Sequence, residues 1–141
     1  MKELEFTVEG EPILTNNMYK AYKSKARGWA VLGKSNDLIR YQRKMRNEVL
    51  PQILPESVIR DFIDEFNKGL YDIEVISIHY VPSNDFYKFD VSNLIKAYED
   101  CIARHLGIDD VYTSEYTVKK VRSNESIWKI HTIMKLVEKE I

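Results

Sequence analysis

The chain has 141 residues, with 21 basic and 22 acidic side chains and a formal charge of −1. At 44% hydrophobic and 30% charged it has ordinary globular usage, which excludes a disordered or fibrous chain and leaves one domain as the expectation. No apolar run approaches the roughly 20 residues of a membrane helix, the stretch Met1-Lys2-Glu3-Leu4-Glu5 lacks the apolar core of a signal peptide, and the lone Cys101 excludes an intrachain disulfide or a cysteine-based zinc site. The chain reads as a soluble intracellular protein.

Residues Glu3 to Val8 alternate, Leu4, Phe6 and Val8 against Glu3, Glu5 and Thr7, which predicts a half-buried strand. Gly10, Pro12, Asn16 and Asn17 break it into a loop. Trp29 to Leu32 predicts a short strand closed by Gly33. Ser35 is placed to cap a helix in which Leu38, Tyr41, Met45 and Val49 recur at helical spacing, and Pro51 and Pro55 are expected to end it. A second helix is expected over Glu56 to Asn67, ending near Gly69. Tyr71 to Val81 is the strongest strand; both of its faces turn apolar in the second half, which predicts an interior position in the sheet. Asp90 to Leu106 predicts a helix with Val91, Leu94, Ile95, Tyr98, Ile102 and Leu106 on one stripe and Gly107 as its C-cap. Tyr116 to Val121 and Ile127 to Leu136 read as two strands joined in a hairpin at Ser123-Asn124-Glu125. The expected fold class is α+β: a single two-layer domain with a mixed β-sheet packed against helices.

The net charge hides a lopsided distribution. Between Lys20 and Arg46 nine basic residues face one acid, Asp37, while the rest of the chain carries 12 basic and 21 acidic residues. A basic segment on an acidic body suits a polyanion partner, because clustered Lys and Arg release counterions from a phosphate backbone. Tyr19, Tyr22, Trp29 and Tyr41 in or beside this segment are candidates to stack on bases. The competing reading is a solvated helix face and a loop.

Candidate chemistry lies between Asp85 and Asp110. A loop delivers Asp90 to a helix start, and a second loop presents Asp109 and Asp110 after its end, with Asn93 and Asp100 away from the apolar stripe and Lys96 at its margin. Carboxylates beside a lysine suit a magnesium-dependent phosphodiesterase, since magnesium takes hard oxygen ligands and leaves positions to water and substrate phosphate. Each residue also has a plainer reading: Asp90 or Ser92 as a helix cap, Asp109-Asp110 as a tight turn, Lys96 as a solvated helix lysine. His79, His105 and His131 read as structural, and Cys101 as a small core residue.

The ordered set resembles the RusA-like Holliday-junction resolvases, small dimeric endonucleases of phage and prophage origin. The family's pattern is Asp-x-Asp-Asn-Leu-x-Lys, an Asp four residues on, a glycine, and then Asp-Asp. This chain has Asp90-Val91-Ser92-Asn93-Leu94-Ile95-Lys96, then Asp100, Gly107 and Asp109-Asp110. The family's proline loop ending in Asn-Asn with a tyrosine behind is similar to Pro12, Asn16-Asn17 and Tyr19, so the likeness spans most of the chain. It implies a dimeric RusA-like fold acting on four-way DNA junctions in recombination and repair, in the cytoplasm of a bacterial or phage-infected cell.

By the same resemblance, Asp90 and Asp110 would be catalytic carboxylates holding Mg2+ (or Mn2+), with Asp109 in support. Lys96 would be the essential lysine and Asn93 would orient ligands. Asn16, Asn17, Lys20, Lys23, Lys25, Arg27 and Lys34 would hold the DNA backbone. One departure stands out: the family's second aspartate is Ser92 here. A neutral hydroxyl removes one negative charge and weakens metal binding, which leaves a catalytically weakened junction-binding dimer as the alternative. Asp85, Asp100 and Asp109 are the acids available to compensate. An interaction protein with no nucleic-acid role is the third reading.

Helix length adds an expectation of its own. A helix over residues 93–106 spans roughly 20 Å, and four further residues reach at most about 14 Å. Asp110 is therefore not expected to return to Asp90 of its own chain, and a site composed across a two-fold dimer follows.

Overall fold

A computed structural model describes residues 2–23 and 30–140, and the side chains of all these except 22, 23, 30 and 31. It shows a mixed α+β domain. Strand β1 (Glu3–Glu9) leads through a 3-10 turn at Thr15–Asn17 into β2 (Tyr19–Lys23) and β3 (Ala30–Lys34). Helices α1 (Asn36–Lys44), α2 (Leu50–Ile53) and α3 (Glu56–Phe66) follow. Then come β4 (Tyr71–Pro82), a 3-10 turn at Val91–Leu94, α4 (Lys96–Leu106), β5 (Thr113–Ser123) and β6 (Lys129–Glu138).

The main sheet has the order β1-β6-β4-β5, with β4 and β5 parallel and the other pairs antiparallel. The alternation read from the sequence becomes burial. Leu4, Phe6 and Val8 of β1, with Ile73, Val75, Ser77, His79 and Val81 of β4, face the core. There they join Ile130, Met134 and Leu136 of β6 and Leu50, Leu54, Phe62, Leu94, Tyr98 and Ile102 of the helical layer. Each fully buried aliphatic or aromatic side chain here contributes roughly 1.5–3 kcal/mol relative to exposure. β4 is interior, as its doubly apolar second half predicts. A buried polar chain crosses the layers: Tyr98 Oη lies 2.7 Å from Thr132 Oγ1, which lies 3.2 Å from Ser77 Oγ, itself 3.0 Å from Tyr116 Oη. It fixes α4 against β6, β4 and β5 with every hydroxyl paired.

Several expectations are corrected. β5 and β6 do not form a hairpin: β4 stands between them, and the loop from Ser123 to Lys129 crosses its end. That crossing spans two strand spacings, roughly 10 Å, too wide for a tight turn. Pro51 does not end the first helix. A π turn at Met45–Val49, in which Leu50 N donates to Met45 O, widens the helix just before the proline. The bonding pattern shifts there, so a ring without an N–H is accommodated. Pro55 precedes α3 and marks the true break. The helix expected over Asp90 to Leu106 is two pieces, the 3-10 turn and α4. The strand expected at Trp29 to Leu32 is Ala30–Lys34 with Gly33 inside it, Trp29 lying outside the described residues, and its partner β2 was not foreseen.

The β2–β3 hairpin is anchored at its base. Met18 (1% exposed) and Leu38 (0%) pack with Ala97 of α4 in a second small cluster. Ser35 ties the base to α1 as predicted: its hydroxyl accepts from Leu38 N at 3.1 Å and donates to Asn17 O at 2.7 Å.

Candidate active site

Two loops distant in sequence meet at the head of α4. Thr15 Oγ1 donates to Asn93 O at 3.3 Å, joining the Thr15–Asn17 turn to the Val91–Leu94 turn. The Asn16-Asn17 and Asp90-to-Asn93 signatures are thereby neighbours, with Asn16, Asn17 and Asp90 exposed and Asn93 half-buried. Asp90 occupies the N-cap position of the 3-10 turn in extended backbone, but its side chain makes no capping bond; only its carbonyl accepts, from Asn93 N at 3.1 Å. Among the described residues its carboxylate has no hydrogen bond or ion pair, so the capping reading of Asp90 is corrected. Ser92 likewise caps nothing. Asp85 is engaged locally with Lys88 at 2.8 Å.

At the far end of α4, Gly107 adopts φ 68°, a left-handed conformation that only glycine takes without strain, and Ile108 N donates to Ala103 O at 3.1 Å. The chain reverses and runs back along the helix. Asp110 therefore reaches Lys96: Nζ lies 3.6 Å from Asp110 Oδ2 and 3.2 Å from Asp100 Oδ1. Lys96, Asp100, Arg104, Asp109 and Asp110 line one open pocket of about 400 Å3. The hydrogen bond to Asp100 raises the Lys96 pKa and keeps its ammonium charged, which suits charge neutralisation and not proton abstraction. Asp109 fulfils the turn reading as well, capping Asp110–Tyr112 by accepting from Val111 N at 3.0 Å, and it also lines the pocket.

α4 is 11 residues, about 16 Å, and Asp110 lies alongside it instead of beyond it. A single chain gathers Lys96, Asp100 and Asp110 by itself, while Asp90 is not among the residues lining their pocket.

Glu99 completes the acidic group and was missed. It is half-buried, and its carboxyl is pushed above the ordinary range, first by burial and then by repulsion from Asp110 and Asp100. The signal was present: Lys96, Glu99 and Asp100 are three and four apart on one helix face. Among the described residues no three carboxylate, imidazole or thiol groups are close enough to enclose a metal ion. The donor set fits magnesium only in its open form, in which one or two carboxylates bind and water and phosphate fill the rest. Crowded, partly desolvated carboxylates are what a hard cation relieves.

A lysine outside the expected set holds the Asp90 loop. Lys120 of β5 donates Nζ to Phe86 O at 2.6 Å and Phe89 O at 3.1 Å, with the ammonium 4.5 Å from the Phe86 ring centroid. Arg122 sits over Phe86 and over the 79% exposed Tyr87, whose hydroxyl it also contacts. Lys120→Met is expected to speed amide hydrogen exchange in residues 86–90 by at least about tenfold, since bonds from a charged donor contribute roughly 1.5–3 kcal/mol each. Protection in β4 should not change. Equal exchange in the loop would show that aromatic packing alone holds it.

The basic segment is divided. Lys20 and Lys34 are exposed near the hairpin base, paired across it as Lys20↔Gly33 and Tyr19↔Lys34, and Tyr19 is open to solvent. Lys23 has a described backbone only, and Lys25 and Arg27 lie outside the described residues, as do the side chains of Tyr22 and Trp29. Tyr41 packs against the main core, where burial pushes its hydroxyl pKa up, so it is no stacking platform. The structural readings of the histidines hold in the geometry: His105 Nε2 donates to Leu54 O, and His131 pairs with Glu5 across β6 and β1. Burial pushes the Cys101 thiol up to about 11, so it stays protonated. No helix is long and apolar enough to cross a membrane among the described residues. No family model matches the chain, and a search of curated proteins finds no match.

Proposed function

We propose that the protein is a magnesium-dependent, structure-selective endodeoxyribonuclease of the RusA-like resolvase kind. It nicks four-way DNA junctions as a homodimer, in recombination and repair in the cytoplasm of a bacterial or phage-infected cell. The observation that carries the reading is the reversal at Gly107, which sets Asp110 at 3.6 Å from Lys96 in one pocket with Asp100 and Asp109; Asp90 is not among the residues that line it. Asp90 and Asp110 are the metal carboxylates, Asp109 supports them, and Asn93 orients ligands beside Asp90. The charged Lys96 stabilises negative charge gathering on the phosphate. A bound magnesium or manganese ion would supply Lewis-acid activation of water and phosphate. Asn16, Asn17, Lys20 and Lys34, continued by Lys23, Lys25 and Arg27, hold the backbone through contacts that read phosphate position and not sequence.

A second reading has an observation of its own. Ser92 stands where the resembling pattern has an acid, and no three-carboxylate group forms among the described residues. Both favour a junction-binding dimer with weakened catalysis. One assay separates them: a labelled synthetic junction with magnesium, with EDTA, and with Asp90→Asn. Paired symmetric nicks that disappear in both controls support the nuclease. Binding without nicking, converted to nicking by Ser92→Asp, supports the binder. No binding even at low salt would overturn both.

A further inference from the structure

Beside the acidic pocket lies a cleft with the opposite charge. It measures about 280 Å3 and is formed where β3 and α1 face α4; Lys34, Arg43, Arg46 and Arg104 line its walls, with Ile39 and Cys101 among its apolar contacts. Among the described residues no acidic side chain lines it. Arg43, Arg46 and Arg104 make no ion pair among the described residues; Arg46 Nε donates only to Asn47 Oδ1, at 3.3 Å, and Lys34 donates to Gln42 Oε1 at 3.3 Å. The guanidinium groups of Arg43, Arg46 and Arg104 at one concavity repel one another, and none of the three has an ion pair among the described residues. An anion with several oxygens would relieve that repulsion, and guanidinium groups match phosphate oxygens in a planar fork.

Arg104 decides which anion. It lines this cleft and also the acidic pocket that holds Lys96 and Asp110. The cleft and the pocket are therefore consecutive stations along α4. A single small anion would use only the first. A chain of phosphodiesters would bridge both, leaving the hairpin at Lys34, passing Arg43 and Arg46, and crossing Arg104 to place its next phosphate beside Lys96. The geometry points to this cleft as the track along which one DNA strand enters the acidic pocket, with Arg104 as the residue that hands it over. The inference rests on the nuclease reading for the identity of the strand, and on the cleft alone for anion binding.

The test measures binding of the labelled junction at a series of salt concentrations for the full-length protein, Arg43→Gln/Arg46→Gln, Arg104→Gln and the control Arg60→Gln on α3. The double variant is expected to lose roughly tenfold or more in affinity near 0.1 M salt and to lower the salt slope by about one per lost contact. Arg104→Gln should lower the slope by about one, and Arg60→Gln should leave it unchanged. Unchanged slopes in the cleft variants, with junction binding intact in the parent, would overturn the track. If the parent binds no DNA, the nuclease reading fails by itself, and inorganic tripolyphosphate then tests the cleft. A rise in melting temperature that the double variant loses would keep it as an anion site, and no rise would overturn it.

Discussion

Asp110→Asn is expected to reduce junction nicking by at least about 100-fold while junction binding and melting temperature stay at parental values. The split follows from what Asp110 does and does not hold. At 3.6 Å its contact with Lys96 is an ion pair without a short hydrogen bond, and Asp100 holds the same ammonium more closely at 3.2 Å. Half-exposed pairs of this kind contribute little to stability. Removing the Asp110 charge also relieves Glu99, whose carboxyl is pushed up partly by Asp110, so its pKa should return toward the ordinary range. The fold loses almost nothing, whereas the proposed metal site loses one of its three carboxylates, Asp90, Asp109 and Asp110. Single-turnover nicking, gel-shift affinity and thermal melting on the same preparation check this. A melting temperature that falls together with activity would reassign Asp110 to structure.

Acid should destabilise the protein through His79. The ring is fully buried on β4, its Nδ1 accepts from Trp128 Nε1 at 3.1 Å, and Nε2 has no partner among the described residues. The proton of the neutral ring therefore sits on Nε2. Tyr98 and Trp128 pack edge-on around it. Burial lowers its pKa from 6.5 to about 4. An unfolded chain takes up this proton near pH 6.5, and the folded one resists until about pH 4. Across that window the unfolded state binds more protons, so stability falls as pH falls. The loss is about 2 kcal/mol by pH 5 and approaches roughly 3 kcal/mol at pH 4. Urea midpoints at pH 6.5 and pH 5, above most carboxylate titration, should show it. His79→Gln should be less stable at neutral pH, because its amide fits the Trp128 bond imperfectly, but should have a flatter profile. An equally steep fall in the variant would place the acid sensitivity elsewhere.

Local signals read correctly where the physics is local. The alternation in β1 and β4 became one buried face because strand side chains alternate whatever the strand's partner. Ser35 became a cap because its hydroxyl needs only the next turn of helix. Gly107 was legible as a helix end for the same reason. Errors arose where a choice depends on distant chain. Ser123-Asn124-Glu125 has hairpin composition, yet both edges of β4 were open to pairing, and β5 took one side while β6 took the other. Pro51 looked like a stop until a π turn, a rearrangement shared over several residues, made room for it.

The candidate site divides along the same line. The amino-acid order by itself determined which side chains carry usable chemistry: Asp90, Lys96, Asp109 and Asp110 as hard-oxygen ligands and a cation, and a basic segment for a polyanion. Their types and spacing are local facts. Only the tertiary structure decided which of them meet. It left Asp90 without a capping bond, brought Asp110 back along α4 to Lys96, added Glu99, and drew Arg104 from α4 into a cleft with Arg43 and Arg46 from the first helical segment. Those meetings depend on how α4 packs between the sheet and α1, a balance of burial over the whole core that no single motif encodes.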